Sequence, residues 1–256
     1  MRALVLCAGF GTRLGSLTLA RPKALLPVGG EPLVGHVLAR LARADVREVG
    51  LNLHFLGEQL REALGSGERY GVRLRYLPEP ELLGTAGSVR EHAPWLFEQG
   101  SGLLCYGDIL SDHPLDTLCR QHAEHQPEIT LLVHQRPGGK SAARVDASGR
   151  LQQFWERPER DPLLPGEPRW SYSGVAVLSP SLPRWIPPGP ADLPADVLAR
   201  HVPNLYARAL AHIGFRVAVD SPERLELAER ALADGRLANV FVARRRLAPD
   251  TAATSA

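Results

Sequence analysis

The chain has 256 residues, with 30 basic and 28 acidic side chains and a formal charge of +2. That is too near neutral for a nucleic-acid footprint, and the length suits one compact domain, or at most two. At 44% hydrophobic and 23% charged it can bury a sizeable core, yet no apolar run approaches the ~18 residues of a membrane span, so no membrane partner is expected. Cys7, Cys105 and Cys119 are spaced for neither a disulfide framework nor a metal cluster, and the apolar stretch before Gly9 is short for a signal peptide; a cytoplasmic protein is the expectation.

Ala3 to Cys7 is a continuous apolar run closed by Ala8-Gly9, the pattern of a strand buried on both faces of a parallel sheet. After a long loop, Pro32 stands where a first helical turn tolerates proline, and Val34, Val37, Leu38 and Leu41 share one helical face. Val49 to Leu53 reads as a second strand, Leu60 and Leu64 support a helix before Gly65-Ser66-Gly67, and Val72 to Leu77 reads as a third strand. Thr85 is expected to cap a helix carrying Ala86, Val89 and Ala93, and Leu103 to Tyr106 forms a buried strand ending at Gly107-Asp108. This alternation predicts an α/β fold, a Rossmann-like mixed, mostly parallel sheet with helices on both faces. Its ligand site lies beyond the carboxyl ends of the strands, where Gly9 and Asp108 fall.

The second half is less regular. Ile129 to Val133, Ala143 to Val145, Leu151 to Trp155 and Val175 to Leu178 read as strands of a mixed extension, broken by the proline-rich stretches 158–168 and 180–194. Ser221 is expected to cap a helix with Pro222-Glu223 in its first turn and Leu225, Ala228 and Leu232 along it. One domain over 1–243 and a frayed tail over 244–256 follow.

The strongest chemical signal is the turn Gly9-Phe10-Gly11-Thr12-Arg13 straight after a buried strand. Missing Cβ atoms let backbone N–H groups approach a phosphate closely. It is not a Walker loop, since no Gly-Lys-Ser/Thr closes it, nor a dinucleotide fingerprint, since Leu14 stands where the third glycine belongs. Of the 30 basic residues only Lys23 and Lys140 are lysines. Lys23 shares the loop with Arg13, and the two cations suit a triphosphate; Lys140, after Pro137-Gly138-Gly139, reads as loop surface. Taken singly, Arg13 could be an ordinary surface arginine, Asp108 a turn or cap residue, and Asp220 a charge favouring the following helix start.

Together these residues resemble the nucleotidyltransferases that join a sugar 1-phosphate to a nucleoside triphosphate. The family's Gly-x-Gly-Thr-Arg-Leu is matched at residues 9–14, its Pro-Lys-x-Leu-x-Pro-Val at 22–28 and its Gly-x-Pro-Leu at 30–33. Glu81-Leu82-Leu83-Gly84-Thr85-Ala86-Gly87 is similar to its base-binding segment and Tyr106-Gly107-Asp108 to its metal site, while Glu156-Arg157-Pro158 and Tyr172-Ser173-Gly174 are thinner likenesses. The resemblance implies the nucleotide-diphospho-sugar transferase fold. It implies that Ala8, Gly9, Gly11 and Thr12 wrap the phosphates, that Arg13 and Lys23 hold the triphosphate and the attacking sugar phosphate, and that Glu81, Gly84, Thr85, Ala86 and Gly87 meet the base. It gives Gly107, Glu156, Arg157 and Gly174 to the sugar phosphate and Asp108 to Mg²⁺, the expected cofactor.

One departure stands out. The family's second metal-binding Asp aligns with Ala218, so either Asp220, two residues on, takes the role or one metal site is lost. The implied partners are a nucleoside triphosphate and a sugar 1-phosphate, giving an NDP-sugar and pyrophosphate; the oligomeric state is not legible. The likeness leans towards mannose- or heptose-1-phosphate guanylyltransferases, hence GTP. Cytidylyl or uridylyl transfer to another phosphorylated substrate, and a catalytically dead sugar-nucleotide-binding regulatory subunit, are the alternatives.

Overall fold

The computed structural model describes residues 1–136, 139, 141–158 and 162–237; Lys140 and the tail 244–256 lie outside them. In chain order the first half runs β1 (Arg2–Leu6), the short β2 (Pro27–Val28) and β3 (Glu31–Pro32), α1 (Leu33–Arg43), β4 (Glu48–Leu53), α2 (Gly57–Leu64), β5 (Arg73–Pro78), α3 (Gly84–Glu91), α4 (Ala93–Leu96) and β6 (Gly102–Tyr106). The second half continues with β7 (Ile109–Ser111), α5 (Leu115–His125), β8 (Ile129–Gln135), β9 (Ser141–Val145), β10 (Leu151–Glu156), β11 (Trp170–Leu178), α6 (Ala199–His201), β12 (Ala207–His212), β13 (Arg216–Ala218) and α7 (Pro222–Ala233).

The apolar runs become a parallel core in the order β6-β1-β4-β5. Ala3, Leu4 and Val5 are all fully buried because both faces of β1 are covered. Side-chain alternation sends Leu4 and Leu104 to one face, against Ala86 and Val89 of α3 and Leu96 of α4. Ala3, Val5, Leu103 and Cys105 face the other way, against Val34, Leu38 and Leu41 of α1 and Leu60 of α2. Each fully buried leucine here contributes roughly 1.5–3 kcal/mol of hydrophobic stabilisation.

β11 runs antiparallel to both β6 and β8, and β12 runs parallel to β8, so β8 and β12 point the same way as the first four strands. β9 and β10 form the far edge. The sheet is therefore mixed but mostly parallel, with helices on both faces, as the alternation predicts. No helix of the described residues is long and apolar enough to cross a membrane.

A third cluster fixes the chain's last helix. Ala228 and Ala231 of α7 pack with Val28, Leu33, Leu110, Val217 and Val219, so α7 sits over β2 and the small antiparallel pair β7–β13. Two capping expectations are corrected. Helix α3 already starts at Gly84 after Leu83, and Thr85 Oγ1 lies inside it, donating to Asp192 Oδ2 at 3.1 Å and accepting from Leu193 N at 2.6 Å. Ser221 does precede α7, but its hydroxyl donates to Glu223 Oε2 at 2.6 Å and caps no backbone N–H. Ala93 opens α4 instead of extending α3, because Pro94 favours a new first turn.

Candidate active site

Three neighbouring parallel strands end in one row. Leu6 of β1 is in register with Tyr106 of β6 on one side and with Asn52 of β4 on the other. The chain turns after Leu6 and Tyr106 therefore leave the sheet at the same level. Gly107 N donates to Leu6 O at 3.0 Å, and a Cβ at residue 107 would stand 2.7 Å from Cys7 Sγ and 2.9 Å from Leu6 O; only glycine allows this approach.

Asn52 is a polar side chain in an otherwise apolar strand, and it organises the turn. Its Oδ1 accepts from the backbone N–H of Cys7 at 2.6 Å and of Ala8 at 3.3 Å. Its Nδ2 donates to Glu79 Oε1 at 3.2 Å and Ser88 Oγ at 3.1 Å, and the Ser88 hydroxyl donates to Gly84 O at 2.9 Å. The amide thus ties the glycine-rich turn to the start of α3. Further along, Gly11 adopts φ +67°, and its carbonyl accepts from Leu14 N at 2.9 Å and Thr18 Oγ1 at 3.0 Å.

Above this floor lies a cleft of about 370 Å³. Of the residues expected at the site, Ala8, Gly9, Gly11, Thr12, Arg13, Lys23, Gly84, Thr85, Gly107, Asp108 and Asp220 line it. Lys23 Nζ pairs with Asp108 Oδ2. Arg13 Nη1 pairs with Asp220 Oδ2 at 2.5 Å, and Arg224 Nη1 takes Asp220 Oδ1 at 3.2 Å. Lys23 is only 13% exposed whereas Arg13 is 62% exposed, so the lysine is fixed in the cleft and the arginine stands at its mouth. Asp220 arrives through β13: Ala218 pairs with Ile109 and Val219 N donates to Asp108 O at 2.9 Å. Ala218 faces a separate pocket, so of the two it is Asp220 that enters the cleft.

Other expected residues lie elsewhere. Glu81 is exposed and outside the cleft lining, whereas the buried Glu79 lines it, with Oε2 lacking a hydrogen-bond partner. Ala86 is fully buried core, and Gly87 makes room for the backbone of Gly189 and Ala191. Gly84 is also a close-approach glycine, at φ +73°, where a Cβ would stand 2.4 Å from Ala191 O. Glu156 and Arg157 pair with each other at 3.5 Å at the end of β10. Gly174, at φ +80°, sits in an irregularity of β11 against Ile109 and the Tyr106 ring. Sequence reading missed Asn52, Glu79 and Ser88 as lining residues and quoted Tyr106 only as part of the Gly107-Asp108 likeness. The signal for Asn52 was an amide interrupting an apolar strand.

The cleft contains no activated thiol. Burial, with the nearby Asp108 charge, pushes the Cys7 thiol well above its ordinary range, and burial raises Cys105 to about 12. Burial likewise raises the Tyr106 phenol. What the site offers is a backbone cradle, two cations and the carboxylates of Asp108, Asp220 and the buried Glu79, a set suited to binding a polyphosphate with a hard cation.

The family profile described as nucleotidyl transferase matches residues 2–181. The chain belongs to the nucleotidyltransferase family. Among curated relatives, this nucleotidyltransferase is 33% identical to an N-acetylmuramate alpha-1-phosphate uridylyltransferase of Neisseria meningitidis over 237 residues, covering 90% of the chain and 97% of that relative. It is 28% identical to a mannose-1-phosphate guanyltransferase of Schizosaccharomyces pombe, covering 87% of the chain but 62% of that protein. A putative glucose-1-phosphate thymidylyltransferase from Bacillus anthracis shares the fold, with a TM-score of 0.80 at 17% identity over 91% of the chain and 96% of that structure.

Replacing Asn52 tests the clamp on the nucleotidyltransferase turn. Asn52→Ala leaves the Cys7 and Ala8 N–H groups without their acceptor, and the expected loss is about 1–3 kcal/mol of stability, read by urea unfolding. Unchanged stability would mean that water or a neighbour replaces the amide without cost.

Proposed function

We propose that this nucleotidyltransferase transfers a uridylyl group from UTP to a sugar 1-phosphate, yielding a UDP-sugar and pyrophosphate. The observation that carries the transfer is the convergence of Arg13, Lys23, Asp108 and Asp220 over a glycine-rich turn. The choice of base rests on length: the relative matched nearly end to end is a uridylyltransferase, while the chain spans about three-fifths of the guanylyltransferase quoted above. GTP is the second reading, favoured by that relative and by an acidic residue near Gly84-Thr85-Ala86-Gly87.

The chemistry needs no nucleophilic side chain. A phosphate oxygen of the sugar 1-phosphate attacks the α-phosphorus in line; the new O–P bond forms as the bond from that phosphorus to the bridging oxygen of the β-phosphate breaks, and pyrophosphate leaves. Backbone N–H groups of residues 9–12 hold the phosphates. Lys23, anchored deep in the cleft, bridges the α-phosphate and the incoming sugar phosphate, and Arg13 swings from Asp220 onto the departing phosphates. The open Oε2 of Glu79 accepts from an N–H on the base edge, the part first assigned to Glu81.

The carboxylates fit a divalent cation. Both are hard oxygen donors lining one cleft, and Lys23 engages only Oδ2 of Asp108; transfer of Arg13 to phosphate releases Oδ2 of Asp220. Asp108 and Asp220 would hold Mg²⁺, which when bound neutralises charge on the phosphoryl oxygens.

Incubating the protein with each of the four nucleoside triphosphates, a panel of sugar 1-phosphates including those of N-acetylmuramate, mannose and glucose, and Mg²⁺ tests the reading. Pyrophosphate release is expected to be fastest with UTP; fastest release with GTP would instead establish the second reading. Binding of a sugar nucleotide with no release from any pair would make the chain a regulatory subunit. Asp108→Asn and Asp220→Ala are each expected to lower kcat about 100-fold or more and to raise the Mg²⁺ concentration needed for half-maximal rate. A normal Mg²⁺ requirement in Asp220→Ala would reduce that residue to an anchor for Arg13. Lys23→Arg should lose about tenfold or more in kcat despite keeping its charge, because the lysine stem packs against Gly11 and a planar guanidinium is too broad for the same slot.

A further inference from the structure

Outside the cleft, three potential metal ligands converge where no polyphosphate chemistry calls for them. Asp112 and His113 follow β7, His212 ends β12, and one ligand atom from each lies within 4.8 Å of the other two. Among the described residues this is the one group of three His, Cys, Asp or Glu side chains so arranged.

Asp112 Oδ1 and His212 Nε2 are 2.9 Å apart, and the His113 ring stands edge-on to His212 with centroids 4.6 Å apart. His113 is only 3% exposed, yet neither of its ring nitrogens has a hydrogen-bond partner. Leaving a buried imidazole wholly unpaired is costly, so the orphaned nitrogens call for a ligand. The residue facing the group is Gly214, where a Cβ would stand 2.0 Å from His212 Nε2 and 2.5 Å from Asp112 Oδ1; any side chain there would intrude among the ligand atoms. The buried Arg40 guanidinium donates through Nη1 to Ser111 Oγ at 2.7 Å, and its Nε and Nη2 have no hydrogen-bond partner.

We propose that Asp112, His113 and His212 form a site for a divalent transition-metal ion of the zinc type, separate from the carboxylate site of the cleft. Two borderline imidazole nitrogens with one hard carboxylate oxygen form a mixed donor set that suits Zn²⁺ and its neighbours, whereas the all-oxygen pair in the cleft suits Mg²⁺. None of the three residues lines the cleft. His212 lines one surface pocket of about 280 Å³ and Asp112 and His113 another of about 270 Å³, so an ion has a way in.

The position gives the ion a role. Asp112 lies four residues after Asp108 on the β7 side, and His212 leads through a short turn into β13 and on to Asp220. Asp112 N already donates to Phe215 O at 3.1 Å across the same junction. An ion here staples the two segments that deliver the cleft carboxylates and fixes their spacing.

The test uses the full-length chain carrying Asp108→Asn, which removes one of the two cleft carboxylates that would compete for the metal. Zn²⁺ is titrated against a chromophoric chelator, and melting temperature is read with and without the metal. One equivalent of Zn²⁺ is expected to bind and to raise the melting temperature, while Mg²⁺ does neither. Adding His212→Gln should weaken Zn²⁺ about 100-fold or more, beyond the ~10–100-fold typical of an outer partner, and abolish the metal-induced rise. His212 is part exposed, and its metal-free melting temperature checks the fold; Asp112→Asn is the second variant, with the same loss expected. No Zn²⁺ binding by the Asp108→Asn chain, or binding that survives both substitutions, would overturn the site.

Discussion

The site depends on the register of three parallel strands. Leu6 is set opposite Tyr106 in one neighbour and Asn52 in the other, so the glycine-rich turn, the Gly107-Asp108 corner and the Asn52 amide all emerge in one row at the carboxyl end of the sheet. A slip of one residue between β1 and β6 would carry Leu4 and Leu104 out of alignment and send one set of core side chains to the wrong face. The two-sided core therefore holds the register, and the register places the chemistry. Gly107 shows how little slack there is, since any side chain there would meet Cys7 Sγ and Leu6 O.

Electrostatics completes what the register begins. Two carboxylates reach the cleft by different routes, Asp108 directly from β6 and Asp220 by way of β13, whose pairing with β7 is covered by α7. Each carboxylate is matched by a cation of the glycine-rich loop, Lys23 for Asp108 and Arg13 for Asp220. The pairs hold these charges in one small volume, with Arg224 also on Asp220 and the buried Glu79 lining the same cleft; in the proposed reaction a polyphosphate with its cation re-partners Lys23, Arg13, Asp108 and Asp220. Lys23 is held within the cleft and Arg13 is exposed at its mouth.

Much of this was legible in the sequence, for identifiable reasons. The strands β1 and β6 are apolar runs bounded by turn residues, β4 is apolar but for Glu48 and Asn52, β5 alternates Arg73 and Arg75 with apolar residues, and α1 carries a clean helical stripe, so their order and the ligand-bearing end of the sheet could be read directly. The loop motif pointed to Arg13 and Lys23 and the Gly107-Asp108 likeness to Asp108, and the fold brings the three together. Less visible were β7 and β13, three residues each and paired only with one another, and α5, whose buried face is little more than Leu115, Leu118 and His122. The motif also drew attention to Glu81 when the chain buries Glu79: Glu79 N extends the strand pairing by donating to Leu53 O at 2.8 Å, which turns its side chain inward and leaves Glu81 on the surface. Gly84 and Gly87 were read as room for a base, but each also makes room for the backbone near Ala191, a contact between segments far apart in sequence that no local pattern reveals.

In the proposed reaction one cleft takes the triphosphate on the β1 turn and its cation on Asp108. A crystal structure of the protein with Mg²⁺ and a non-hydrolysable UTP analogue tests it most directly. Phosphate oxygens are expected within hydrogen-bond distance of backbone N–H groups in residues 9–12 and of Lys23 Nζ, with Mg²⁺ at about 2.0–2.1 Å from an Asp108 oxygen. A nucleotide bound away from the β1 turn, or a metal with no Asp108 ligand, would contradict it.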